Sequence, residues 1–101
     1  MKPQRKVAEF LAEHEMDADP AYRILDLASE VGELAKDANE STDYGASPEQ
    51  VDVNADELGD ALFSLLAVAE SLDADAEAAL DEALAKYEQR IEATGDPGSG
   101  E

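Results

Sequence analysis

The sequence predicts an all-α fold: four helices that form a bundle completed by oligomerisation. Three observations carry the fold class. The chain is rich in alanine, leucine and glutamate and only 5% aromatic, a composition that favours helix over strand. Apolar residues recur at three- and four-residue spacing through successive segments, the period of one helix face. The chain has 101 residues, enough for one domain but able to bury only about two-thirds of its unfolded surface, so a second copy would add core.

The first helix is expected over residues 3–15. Pro3 suits an opening turn, where its missing N–H has no helical partner, and Val7, Phe10 and Leu11 share a face. Residues 16–20 break it, because Asp19 precedes Pro20 and is biased away from helix. The second helix is expected over residues 20–39, with Ile24, Leu27, Val31, Leu34 and Ala38 in one narrow apolar stripe. Residues 41–48 read as a loop with turn signals at Tyr44-Gly45 and Ser47-Pro48.

Pro48 is expected to open the third helix, with Ser47 as its N-cap, and the helix to run to residue 72. Val51, Ala55, Leu58, Leu62, Leu65, Ala69 and Leu72 form its main stripe. Past Asp60 it becomes apolar nearly all round, which predicts a central helix covered on two sides by its own chain or a partner. The fourth helix is expected over residues 74–93, with Leu80, Ala83, Leu84, Tyr87 and Ile91 inward. Residues 1–94 thus form a single helical domain, and residues 95–101, made of glycine, proline, serine and acids, read as a disordered tail.

Composition excludes several functions. There is no cysteine, so disulfides and thiolate metal sites are out. His14 is the lone histidine, which rules out multi-histidine sites and reads as a solvated residue near a helix end. The net charge is −19, from 26 acidic and 7 basic side chains. Such a sign disfavours nucleic acid and anionic membrane as partners. It also repels itself in dilute salt, whereas at 1 M salt the Debye length falls to about 3 Å. A halophilic protein is therefore one explanation, and a DNA mimic or an acidic partner for a basic protein is another. No apolar run approaches a membrane span, and the first fifteen residues lack the apolar stretch of a signal peptide. The expected location is cytoplasmic.

Four acids stand out by spacing. Glu30 and Glu33 lie three apart on the second helix, and Glu57 and Asp60 lie three apart on the third. Residues so spaced are neighbours on a helix surface, about 5–6 Å between Cβ atoms. If the two helices pack antiparallel, the pairs can face each other. Four converging carboxylates raise one another's pKa, and a divalent cation removes the conflict. Oxygen ligands favour Mg²⁺ or Mn²⁺ over zinc. Among 26 acids such pairs also arise by chance, leaving four ordinary surface acids as the bland reading. Against it, Asp60 opens an otherwise apolar segment. Each pair also encloses a glycine, Gly32 or Gly59, at a cost of about 1 kcal/mol relative to alanine. That placement predicts close approach by another backbone or a ligand.

LASEVGELA at residues 27–35 and DELGDALFSLL at residues 56–66, with the loop between them, resemble the MazG-like nucleotide pyrophosphohydrolases of the all-α NTP pyrophosphatase group. The resemblance covers roughly residues 21–91. It implies that Glu30, Glu33, Glu57 and Asp60 bind Mg²⁺, with Mn²⁺ as an alternative, and are the catalytic carboxylates. It also implies hydrolysis of a nucleoside triphosphate to monophosphate and pyrophosphate, a role in nucleotide-pool house-cleaning, and a homodimer or homotetramer.

The chain departs from the pattern in places. Ser29 stands where many members have a second glutamate, and Ala83 stands where a phosphate-binding lysine often occurs. Lys86 and Arg90, one and two turns on, are the nearest basic substitutes. No tryptophan is present to stack on a base, leaving Phe10, Tyr22, Tyr44 and Tyr87. Two alternatives stay open: a non-catalytic acidic interaction module, and an inactive homologue that keeps a nucleotide site. Base and sugar preference, and dimer against tetramer, are not written in the pattern.

Overall fold

The computed structural model describes residues 1–96. Four α-helices follow one another: α1 (Lys2–Glu13), α2 (Pro20–Ser41), α3 (Ala55–Ser71) and α4 (Ala76–Thr94), with one 3-10 turn at Pro48–Gln50. No strand occurs among the described residues. The fold class is therefore as expected; of the anticipated tail, only Gly95 and Asp96 are described and the rest lies outside the described residues.

Proline opens α1 and α2 as anticipated. Gly95 closes α4 in the left-handed region at φ 78°, a conformation glycine adopts without steric cost. The start of α3 differs from expectation. Pro48 makes only a 3-10 turn, and Val51 is extended (φ −53°, ψ 131°). The helix begins seven residues later, capped by Asn54, whose side chain accepts the Asp56 N–H at 2.9 Å.

The physical reason lies in competing hydrogen bonds. Asp52 N–H donates to Ser41 Oγ at 2.8 Å, and Asn54 N–H donates to Asp37 Oδ2 at 3.3 Å. These tie residues 52–54 back onto the end of α2. The Asp52 and Asn54 N–H groups are satisfied without helix, and the β-branched Val51 and Val53 accept extended backbone readily. Val51 consequently leaves the predicted stripe and is exposed.

α2 and α3 form the main packed pair, with α1 laid against α3. Asp37 meets Asn54, Glu30 meets Glu57 and Asp60, and Arg23 shares a cleft with Ser64. That register runs antiparallel. The core centres on Val7, Leu66 and Ala67, with Leu11 and Phe63 packed on it. Phe10 adds an edge-on contact to Phe63 at 5.7 Å, and His14 is exposed with its ring 4.5 Å from that of Phe10.

Gln4 locks α1 to the α3–α4 corner. Its Nε2 donates to Glu70 Oε2 at 2.6 Å and to the Ala74 carbonyl at 2.7 Å, and its Oε1 accepts the Ala76 N–H at 2.8 Å.

The single chain leaves much apolar surface open. Leu62 and Leu65 on α3 are each 49% exposed, so the predicted all-round burial of this helix is not reached within one chain. α4 has no buried residue and packs broadly against none of the other helices. Leu80, Leu84 and Ile91 lie open along it. The radius of gyration is 16.4 Å, against about 13 Å for a compact domain of this length. The accessible surface of 7398 Å² exceeds by roughly a third the surface of a folded monomer of this mass, about 5,500 Å².

Candidate metal centre

The antiparallel seam of α2 and α3 brings three of the four singled-out acids together. One carboxylate oxygen from each of Glu30, Glu57 and Asp60 lies within 4.8 Å of the others. Trans ligands of an octahedral Mg²⁺ stand about 4.2 Å apart, twice the usual metal–oxygen distance. Modest side-chain rotation would therefore bring this set around one ion. Glu30 and Glu57 are half-buried and Asp60 is exposed.

Glu33, one turn beyond Glu30, is exposed and lies outside the tight group. Its charge still reaches Glu57. The Glu57 carboxyl is raised above the ordinary carboxylate range, first by burial and then by the charges of Asp37, Glu33, Asp60 and Glu30. None of the three converging acids forms an ion pair among the described residues. An all-oxygen set held in mutual repulsion, with no cation ion-paired to it among the described residues, fits a hard divalent ion.

Asp37 is the acid that sequence reasoning passed over. It is half-buried, acts on Glu57 more strongly than Glu33 does, and holds the Asn54 N–H. Its position, seven residues after Glu30 on the same flank, was the available signal.

The structure does not bear out the glycine expectation among the described residues. A Cβ added at Gly32 or Gly59 would meet nothing within 4 Å. Among the described residues no other backbone approaches either one.

Lys86 and Arg90 both lie on α4 and flank Tyr87. The Lys86 Nζ stands 5.2 Å from the ring centroid and the Arg90 guanidinium carbon 6.0 Å. Because α4 does not pack along α2 or α3, the single chain does not bring these two alongside the carboxylates.

A cleft of about 260 Å³ adjoins the acidic group. Glu30 and Asp60 line it together with Met16, Arg23, Asp26, Phe63 and Ser64. Arg23 is buried there. Sequence reading missed it, because a lone basic residue on an amphipathic helix reads as solvated until the α1–α2 connection is seen to fold over it.

Fold and site together define a class: all-helical proteins that set a carboxylate cluster across two antiparallel helices, each bearing acids three residues apart. Within that class, the model of the MazG nucleotide pyrophosphohydrolase domain matches residues 20–94. The chain belongs to this family. Comparisons with curated proteins and with solved structures gave no match. No helix among the described residues is long and apolar enough to cross a membrane.

Proposed function

We propose that the protein hydrolyses nucleoside triphosphates to monophosphate and pyrophosphate with Mg²⁺, or Mn²⁺ in its place, and that it does so as a homo-oligomer adapted to high salt. The observation that carries the reading is the convergence of Glu30, Glu57 and Asp60 from two helices onto one small volume. A divalent ion bound there would polarise phosphate oxygens and offset the charge of the departing pyrophosphate.

The chain's own groups divide the remaining work. Glu30, Glu57 and Asp60 would hold the ion. Glu33, exposed and outside the tight group, is free to orient a water and take its proton. That water adds to one of the two phosphorus atoms flanking the α–β bridging oxygen. The bond from phosphorus to the bridge breaks, and pyrophosphate departs.

Oligomerisation is supported by the open apolar faces of α3 and α4 and by the expanded single chain. Assembly also supplies a route for Lys86 and Arg90 to the triphosphate, with α4 of one copy beside the carboxylates of another. Both would then stabilise the leaving pyrophosphate. The inactive-homologue reading draws on the same observation, since within one chain α4 packs along neither carboxylate helix.

Pyrophosphate release from a panel of canonical and modified NTPs and dNTPs, in molar KCl with Mg²⁺, tests the proposal. Release that stops with EDTA supports it. No release on any nucleotide from folded protein overturns it. Glu57→Ala and Asp60→Ala should each abolish release while leaving helix content unchanged; retained activity in either would remove that residue from the site.

A further inference from the structure

Arg23 is 8% exposed and sits on α2 two turns before Glu30. Its Nη2 donates to the carbonyl oxygen of Met16, in the connection between α1 and α2. Among the described residues it makes no ion pair, although the chain carries 26 acids. A guanidinium presents five N–H donors in a planar fork, and one carbonyl occupies a small part of it. No buried side-chain nitrogen among the described residues lacks a partner, so the unused donors open onto free space. Arg23 lines the cleft that reaches Glu30 and Asp60.

We infer that this cleft is the nucleobase pocket of the proposed nucleotide site, and that Arg23 recognises a ring carbonyl of the base. The inference rests on the nucleotide reading above. Four features favour a base over a further phosphate. The volume of about 260 Å³ falls below that of pockets enclosing whole drug-sized ligands, about 300–1,000 Å³, and suits one ring system. Met16 and Phe63 offer it apolar surface. Asp26, Glu30 and Asp60 line the same cleft and oppose a second anion, whereas a neutral ring meets no such repulsion. Arg23 also precedes Glu30 by seven residues, about 10 Å of helix rise. That span leaves room for a sugar between phosphates at the carboxylates and a ring at the arginine.

Arginine donates well to a base carbonyl with its neighbouring ring nitrogen, as it does to guanine O6 and N7. Adenine has no carbonyl and should be disfavoured. The pocket therefore selects 6-oxopurines over adenine.

The test is calorimetric binding of the α,β-methylene triphosphates of guanosine, adenosine and 2-aminopurine riboside, in molar KCl with Mg²⁺. The last is guanine without O6 and the N1 proton, with N7 and the 2-amino group kept. The expected result is about 10–100-fold tighter binding of the guanosine analogue than of either other. Arg23→Met should bring the three within about twofold, with Mg²⁺ affinity and helix content unchanged. The 2-aminopurine comparison on the unaltered protein decides the matter even where Arg23→Met fails to fold.

Equal binding of all three analogues by the unaltered protein overturns the inference. So does discrimination that survives Arg23→Met, or a variant that weakens all three ligands and pyrophosphate alike, which would make Arg23 a phosphate ligand. A guanosine preference in a protein that releases no pyrophosphate upholds the pocket and overturns the hydrolase reading alone. Absence of binding by any analogue overturns both.

Discussion

Asn54→Ala should weaken the metal site from outside it. Asn54 caps α3 by accepting the Asp56 N–H at 2.9 Å, and Glu57 stands in the turn so capped. Replacing such a cap by alanine costs about 1 kcal/mol. For a domain of this size, that lowers the melting midpoint by about 4–8 °C. If the lost cap lets the first turn fray, metal binding must re-form that turn, and 1 kcal/mol becomes about a fivefold loss of Mg²⁺ affinity.

Asp75→Ala is the matched control. Asp75 caps α4 through the Glu77 and Ala78 N–H groups at 2.9 and 3.3 Å. A similar fall in midpoint is expected, but α4 carries none of the converging acids, so Mg²⁺ affinity should hold. Thermal melts followed by circular dichroism in EDTA give the stabilities, and Mg²⁺ titration calorimetry in molar KCl gives the affinities. An unchanged affinity in Asn54→Ala, or an equal loss in Asp75→Ala, would refute the coupling of cap to site.

Other perturbations report on other parts of the molecule. The raised Glu57 pKa means that the folded state holds this proton to higher pH than the unfolded chain does, so this group's contribution to stability falls as pH rises through that window. In EDTA, Glu57→Gln should therefore melt above the parent at neutral pH, and the gap should close on acidification; a gap independent of pH would contradict the assigned cause. Raising KCl from about 0.1 to 2 M should increase both melting midpoint and turnover, because a net charge of −19 repels itself and the substrate until screened. A flat or falling salt profile would argue against adaptation to high salt. If the chain assembles as proposed, Leu65→Glu should lower the mass seen by light scattering to that of one chain, since Leu65 is half exposed on α3. An unchanged mass would move the interface elsewhere.

Helix content was legible wherever the apolar period ran unbroken. α2 and α4 begin and end within two residues of expectation, because proline, glycine and the stripe agree there. α3 was misjudged at its start because Pro48 is a sound local signal that lost to two long-range hydrogen bonds, from Asp52 to Ser41 and from Asn54 to Asp37. Glu30, Glu57 and Asp60 were readable from three-residue spacing plus an antiparallel guess. That Glu33 stands outside their tight group was not, since spacing fixes neighbours along one helix but not which of them reaches across to the next. Arg23 could not be read at all. Its burial depends on Met16 returning over α2, and nothing local to Arg23 encodes that.

The open apolar face of α4 separates ion binding from turnover in their dependence on protein concentration. The α2–α3 seam is complete within one chain, so ion binding should persist however far the protein is diluted. If Lys86 and Arg90 act on a triphosphate held by another copy, as proposed, turnover needs an encounter between copies. Specific activity should then decline below the dissociation constant of that assembly while ion affinity stays level, and cellular abundance would set the rate per molecule as well as the total flux.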